Sequence, residues 1–160
     1  HRDLHSFPTR RSSDLDRQHP RDLFDIKWLL ENEGITEEIR RAFIVYLISH
    51  SRPMAELLAP NLLDVDPAFF AEFIGMTRIP VQIDELVHAR EQLVLALHTL
   101  AQEERQFIFS IKSGSPQWHL FPIHHIEELP AVRWKLQNIR QMSKSKHAAA
   151  LQKLKQALQL

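Results

Sequence analysis

Glycine is nearly absent from this chain, and what stands in its place decides the fold class. Gly34, Gly75 and Gly114 are the three glycines among 160 residues, and long stretches of Leu, Ala, Glu, Gln, Arg and Lys run between them. Such side chains lose little rotamer freedom in a helix. No segment sustains a period-two alternation, and no Asn-Gly or Asp-Gly pair marks a hairpin. There is no repeat at a fixed period. The chain therefore reads as all-α, an irregular bundle of about six or seven helices.

Proline and threonine set the expected boundaries. Pro20 suits a first helical turn, where its missing N–H is harmless, and Gly34 suits the end of a helix over 21–33. Thr36 is placed to cap a second helix, with Glu37 and Glu38 in the dipole-favoured first turn. Its apolar residues Ile39, Ala42, Phe43, Tyr46 and Leu47 recur at three and four until Pro53 intervenes. Pro60, Pro67, Gly75 and Pro80 leave room for short helices only, at Met54–Leu58 and Ala68–Phe73. From Asp84 to Ala101, Leu86, Leu93, Leu97 and Leu100 share one face, with Arg90 the only charge on that row. Further helices are expected at Glu103–Ser110, Ala131–Met142 and Lys144–Leu160.

The opening fifteen residues, HRDLHSFPTRRSSDL, stand apart. His-Arg-Asp-Leu begins a protein-kinase catalytic loop, in which an Asn four residues after the Leu holds magnesium. Pro8 occupies that position and carries no ligand, so the kinase reading fails. The same fifteen residues are similar, one codon per residue, to the translation of a short-read sequencing adapter. Residues 1–15 are accordingly read as a non-native segment and set aside, with Phe7 and Leu15 expected outside the main core. Residues 16–160 are read as a helical C-terminal domain whose natural front is missing.

No apolar run reaches the length of a membrane span. The absence of Cys excludes disulfides and thiolate metal sites and fits a reducing cytoplasm. A net charge of zero hides a division: residues 16–128 hold 10 basic against 18 acidic side chains, whereas residues 129–160 hold seven basic and none acidic. A basic end on an acidic body suits nucleic acid, because Lys and Arg release counterions from phosphates. A solvated basic helix would read the same way. Lys135, Arg140, Lys144 and Lys146 are the candidate nucleic-acid contacts. Trp134 and Leu136 could flank a basic patch of Arg133, Lys135 and Arg140 facing RNA, with packing in the core the preferred reading for Trp134. His119, His124 and His125 gather near Trp118 but lack the spacing of a helical metal motif, so no metal site is assigned.

The run DRQHPRDLFDIKWLL carries the chemistry. Arg21, Asp22 and Asp25 fall within about one and a half turns of a helix, and the two carboxylates, three apart, can share a face. A helix N-terminus also presents N–H groups to phosphate. Acids favour that first turn for dipole reasons alone, so spacing leaves both readings open. The pattern R-x-x-x-R-D-L-F-D-I at a helix start resembles the arginine–aspartate motif of the nucleotidyltransferase AbiEii/AbiGii toxin family. The phrases AFIVYLISHSRPMAELL, FIGMTRIPV and LPAVRWKLQNI are similar to the same family and extend the likeness over most of residues 16–160.

This resemblance implies a toxin component of toxin–antitoxin and phage-defence systems. It implies a polymerase-β-like nucleotidyltransferase fold in the N-terminal half, helices in the C-terminal half, and nucleoside triphosphates bound with Mg2+. Some members attach nucleotides to tRNA ends. By the same resemblance Asp22 is the catalytic-site acid, Asp25 supports it, and Arg17 and Arg21 lie near the phosphates. The family's Gly-Ser and Asp-x-Asp elements have no counterpart, and the place of its helical lysine falls among residues 1–15. The implied protein is a fragment of a nucleotidyltransferase, inactive as it stands and without cofactor of its own. Its intact parent would need Mg2+ and a nucleoside triphosphate, with an RNA acceptor and a cognate antitoxin as partners. A helical module that grips nucleic acid or protein without catalysis accommodates the charge division equally well.

Overall fold

Side-chain caps fix where three of the helices begin. The computed structural model describes residues 18–160, and these are all-α, with no strand among them. Arg17, Phe7 and Leu15 lie outside the described residues. Helix α1 runs Pro20–Asn32, α2 Glu37–Ser49 and α3 Met54–Leu58. Helix α4, Asp66–Ala68, continues into a π-helical turn at Phe69–Phe73. Then follow α5 Ile83–Leu97, α6 Gln102–Ser113, short 3-10 turns at Trp118–Leu120 and Ile126–Glu128, α7 Pro130–Arg140 and α8 Lys144–Leu158. Thr36 Oγ1 accepts the Ile39 N–H at 3.3 Å, and Ser143 Oγ accepts that of Lys146 at 3.4 Å. Each satisfies a donor the helix itself leaves unpaired.

Helix α5 stops at Leu97, four residues short of the expected Ala101. The reason lies in the carbonyls that follow it. Thr99 donates its hydroxyl to Ala96 O at 2.6 Å, and the Arg105 guanidinium donates to His98 O and Leu100 O, both at 3.0 Å. Side-chain donors thus satisfy groups that a continuing helix would have paired. Helix α6 opens with the Glu104 carboxylate accepting the Ala101 N–H at 2.8 Å, the back half of a capping box. It closes on Gly114, whose φ of 84° is left-handed. A Cβ at Gly114 would meet nothing within 4 Å. Gly114→Ala should therefore destabilise through backbone strain alone, by about 1 kcal/mol in urea unfolding. A loss above roughly 3 kcal/mol would show that the site is packed.

The chain forms two compact units, each assembled from two separate segments. The first comprises the described residues up to Ile35 together with Leu62–Leu95. Its core is Leu23 of α1, Val65, Phe69 and Phe73 around the π turn, and Leu86 of α5. Phe24 packs on Phe73 with ring centroids 5.9 Å apart. Arg90, the lone charge on the α5 leucine row, donates to Gln18 Oε1 at 2.9 Å and Leu63 O at 2.7 Å. Gln18 Oε1 also accepts the Leu63 N–H at 2.9 Å, so one amide and one guanidinium tie three segments of this unit.

The second unit comprises Thr36–Asn61 and Ala96–Leu160. Ile44 and Leu47 of α2, Phe107 and Ile111 of α6, Val132 of α7 and Leu154 of α8 are at most 1% exposed. Phe107 stacks on Phe121, ring planes 2° from parallel and centroids 4.8 Å apart. Arg40 pairs with the nearly buried Glu104 at 2.9 Å, linking α2 to the start of α6. Leu100, expected on the α5 face, belongs to this second core.

Candidate functional site

The start of α1 is organised by His19. Its Nδ1 accepts the Arg21 N–H at 3.2 Å, and its backbone carbonyl accepts those of Asp22 at 2.9 Å and Leu23 at 3.1 Å. Because Nδ1 accepts, a neutral His19 must carry its proton on Nε2, which faces Glu72 Oε2 at 2.9 Å. Pro20 has no N–H at all. The expectation that this helix end offers open N–H groups to phosphate is therefore corrected. Every donor of its first turn is already engaged, by the residue that caps it.

The side chains of that turn are better placed for chemistry than its backbone. Asp22 is half-buried, while Asp25 and Arg21 are exposed. Arg21 Nη2 lies 3.4 Å from Met76 Sδ. At about 100° per residue, Arg21, Asp25 and Trp28 fall on one outward stripe and Leu23 on the inward one. Trp28, whose bulk suggests burial, is 54% exposed on that stripe. The outer surface of α1 thus presents a cation, a carboxylate and an indole in successive turns.

The bare letters Asp-x-Asp do occur, at Asp14–Asp16, outside the described residues, and at Asp64–Asp66. The second occurrence is a turn and not a metal-binding strand: Asp64 Oδ1 accepts the Asp66 N–H at 3.0 Å just before α4. The chain's Gly-Ser pair, Gly114–Ser115, ends α6. Asp22 and Asp25 can offer oxygen ligands to a magnesium ion, which is commonly held by one or two carboxylates and substrate phosphates. With its donors engaged, the first turn of α1 offers no backbone N–H to a triphosphate.

At the basic end, the structure corrects two expectations together. Trp134, expected in the core, is 61% exposed, and Lys135, expected on the surface, is 9% exposed. Val132, Leu136 and Ile139 set the buried face of α7. Lys135 follows Val132 by three and precedes Ile139 by four, so it lies on that face, whereas Trp134 lies on the opposite one. Lys135 Nζ donates to His50 O at 2.5 Å and Arg52 O at 2.9 Å, just beyond the C-terminus of α2. Burial, with Lys112 adding repulsion, lowers its pKa to about 8. Lys135 is thus a buried prop and not a contact for phosphate. Arg133, Arg140, Lys144, Lys146, Lys153 and Lys155 are exposed. His119, His124 and His125 are exposed as well, His125 facing Glu128 at 3.3 Å.

No described helix is long and apolar enough to cross a membrane. A family model described as "Nucleotidyl transferase AbiEii toxin, Type IV TA system" matches residues 4–138. Among curated proteins and among solved structures, none matches.

Proposed function

Since the chain belongs to the nucleotidyl transferase AbiEii toxin family of type IV toxin–antitoxin systems, we propose that the whole protein transfers a nucleotide to an RNA acceptor. The observation that carries this reading is the family match over residues 4–138, which takes in Arg17, Arg21, Asp22 and Asp25. Asp22 is the catalytic-site acid, Asp25 supports it, and Arg17 and Arg21 act near the phosphates. Bound Mg2+ would neutralise charge on the nucleoside triphosphate during transfer. The Gly-Ser and Asp-x-Asp elements must come from a nucleotidyltransferase half joined to this one, and residues 16–160 alone are inactive. The setting is cytoplasmic phage defence, with a cognate antitoxin as regulator.

Acceptor binding falls to Arg140, Lys144 and Lys146. The first turn of α8 carries Lys144 and Lys146 and no acid. Cations at a helix N-terminus oppose the dipole, so helix stability does not explain them. Contact with phosphate does. Transfer is tested by incubating the whole protein with Mg2+, labelled nucleoside triphosphates and cellular RNA. Label should enter RNA. RNA binding without any transfer would leave the helical binding module in its place. Changing Arg140, Lys144 and Lys146 together to Gln should weaken RNA binding and flatten its salt dependence, by roughly one unit of slope per lost phosphate contact. An unchanged slope would make this a solvated basic helix.

A further inference from the structure

Trp134 stands at the centre of an outward face with no packing role to explain it. It is 61% exposed, and Ala131, Gln137, Asn138 and Gln141 around it on the same side of α7 are exposed too. Arg133 and Arg140 lie seven residues apart along one flank of that face, about 10 Å in axial rise. Arg133 Nε is 3.4 Å from the Glu127 carbonyl, a contact that leans its guanidinium against the start of the helix. No acidic side chain occurs from residue 129 to the end of the chain.

We propose that Trp134 is a stacking platform for an unpaired nucleobase of single-stranded RNA. Arg133 and Arg140 would follow the phosphates along its flank, and the Gln137 and Asn138 amides would meet base edges. This rests on the RNA acceptor proposed above and names the part of it that is held. A purine or pyrimidine ring has a π face to cover an indole, and recognition of unpaired RNA combines aromatic stacking with cations on the backbone. Trp and Arg are also enriched in protein interfaces, so the choice of RNA rests on charge: residues 129–160 carry seven basic side chains and no acid, which suits a polyanion.

The probe is a fluorescently labelled oligoadenylate bound by the full 160-residue chain, compared with an RNA hairpin lacking unpaired ends. Trp134→Leu should weaken oligoadenylate binding roughly five- to a hundredfold, leave the salt slope unchanged and spare the hairpin. Trp134→Phe, which keeps a ring, should retain most of the affinity. The melting curve of both variants should match that of the parent chain, since the residue is exposed. Unchanged oligoadenylate affinity in Trp134→Leu overturns the inference, as would a loss shared equally by the hairpin. If Trp134→Leu binds RNA normally but no longer associates with the cognate antitoxin, the face belongs to a protein and the inference falls. The proposed function is distinguished by the Arg140, Lys144 and Lys146 variant. Weakened binding there beside an unaffected Trp134→Leu removes only the stacking role, whereas no RNA binding by the parent chain removes both.

Discussion

Asp22→Ala in the whole protein should lower nucleotide transfer roughly a hundred- to ten-thousandfold, the range by which a positioned acid or base accelerates proton transfer. Stability should fall by at least the helix-dipole contribution of a first-turn acid, about 0.3–1 kcal/mol, with the interaction of the half-buried carboxylate added to it. Asp25→Ala should have the smaller effect on transfer, because Asp25 is exposed one turn further on and the role proposed for it is only to support its neighbour. Transfer by Asp22→Ala at the parental rate would remove the residue from the chemistry. A large fall in melting temperature would place it among the structural residues instead.

Lys135→Ala should destabilise the second unit by about 2–4 kcal/mol, measured by urea unfolding. Two carbonyls, His50 O and Arg52 O, lose their shared donor, and the missing stem leaves a void beside Leu136 on the buried face of α7. Lys135→Met fills most of the void but cannot donate, so it should fall between the two. The pH profile separates the roles of charge and packing. Burial holds Lys135 at about 8 in the folded chain against 10.5 in the reference state. Between those values the unfolded chain binds more protons, so stability rises with pH across that window. Below about pH 8 the residue is charged in both states and the cost of burying the charge is fully present. The difference between parent and Lys135→Met should therefore grow in the parent's favour from pH 8 to pH 10.5. Parallel profiles would show that Lys135 keeps its ordinary protonation when folded.

Most of the helical framework was legible because its punctuation is local. Pro20, Thr36 and Pro130 act through their own backbone or that of residues three or four away. The end of α5 was not legible, since it depends on an arginine beyond the helix reaching back to His98 O and Leu100 O. The exchange of Trp134 and Lys135 shows another kind of miss. The spacing of Val132, Leu136 and Ile139 already puts residue 135 inward and residue 134 outward. Helical phase, and not residue type, decides which of the two is buried. What no spacing could show is the destination of the Lys135 ammonium, at carbonyls 85 and 83 residues away in sequence. At the candidate site, the motif located Asp22 and Asp25 on α1, but the engagement of its N–H groups by His19 depends on the ring's orientation and was invisible.

The interleaving of the two units governs how this chain can be cut and how it must fold. The backbone passes between them at Ile35–Thr36, Asn61–Leu62 and Leu95–Ala96, so neither core is encoded by one continuous stretch. A stop after Asn61 would strand α1 without the residues around Phe69 and Leu86 that bury it, and α2 without Phe107 and Val132. A stop after Leu95 keeps both segments of the first unit, with its acid-bearing helix, and leaves residues 36–61 without the rest of their core. Each unit must close a long loop before its own apolar faces meet, and loop closure is what slows the assembly of non-local contacts. In synthesis the first unit is complete when Leu95 has emerged, whereas the second waits for α8.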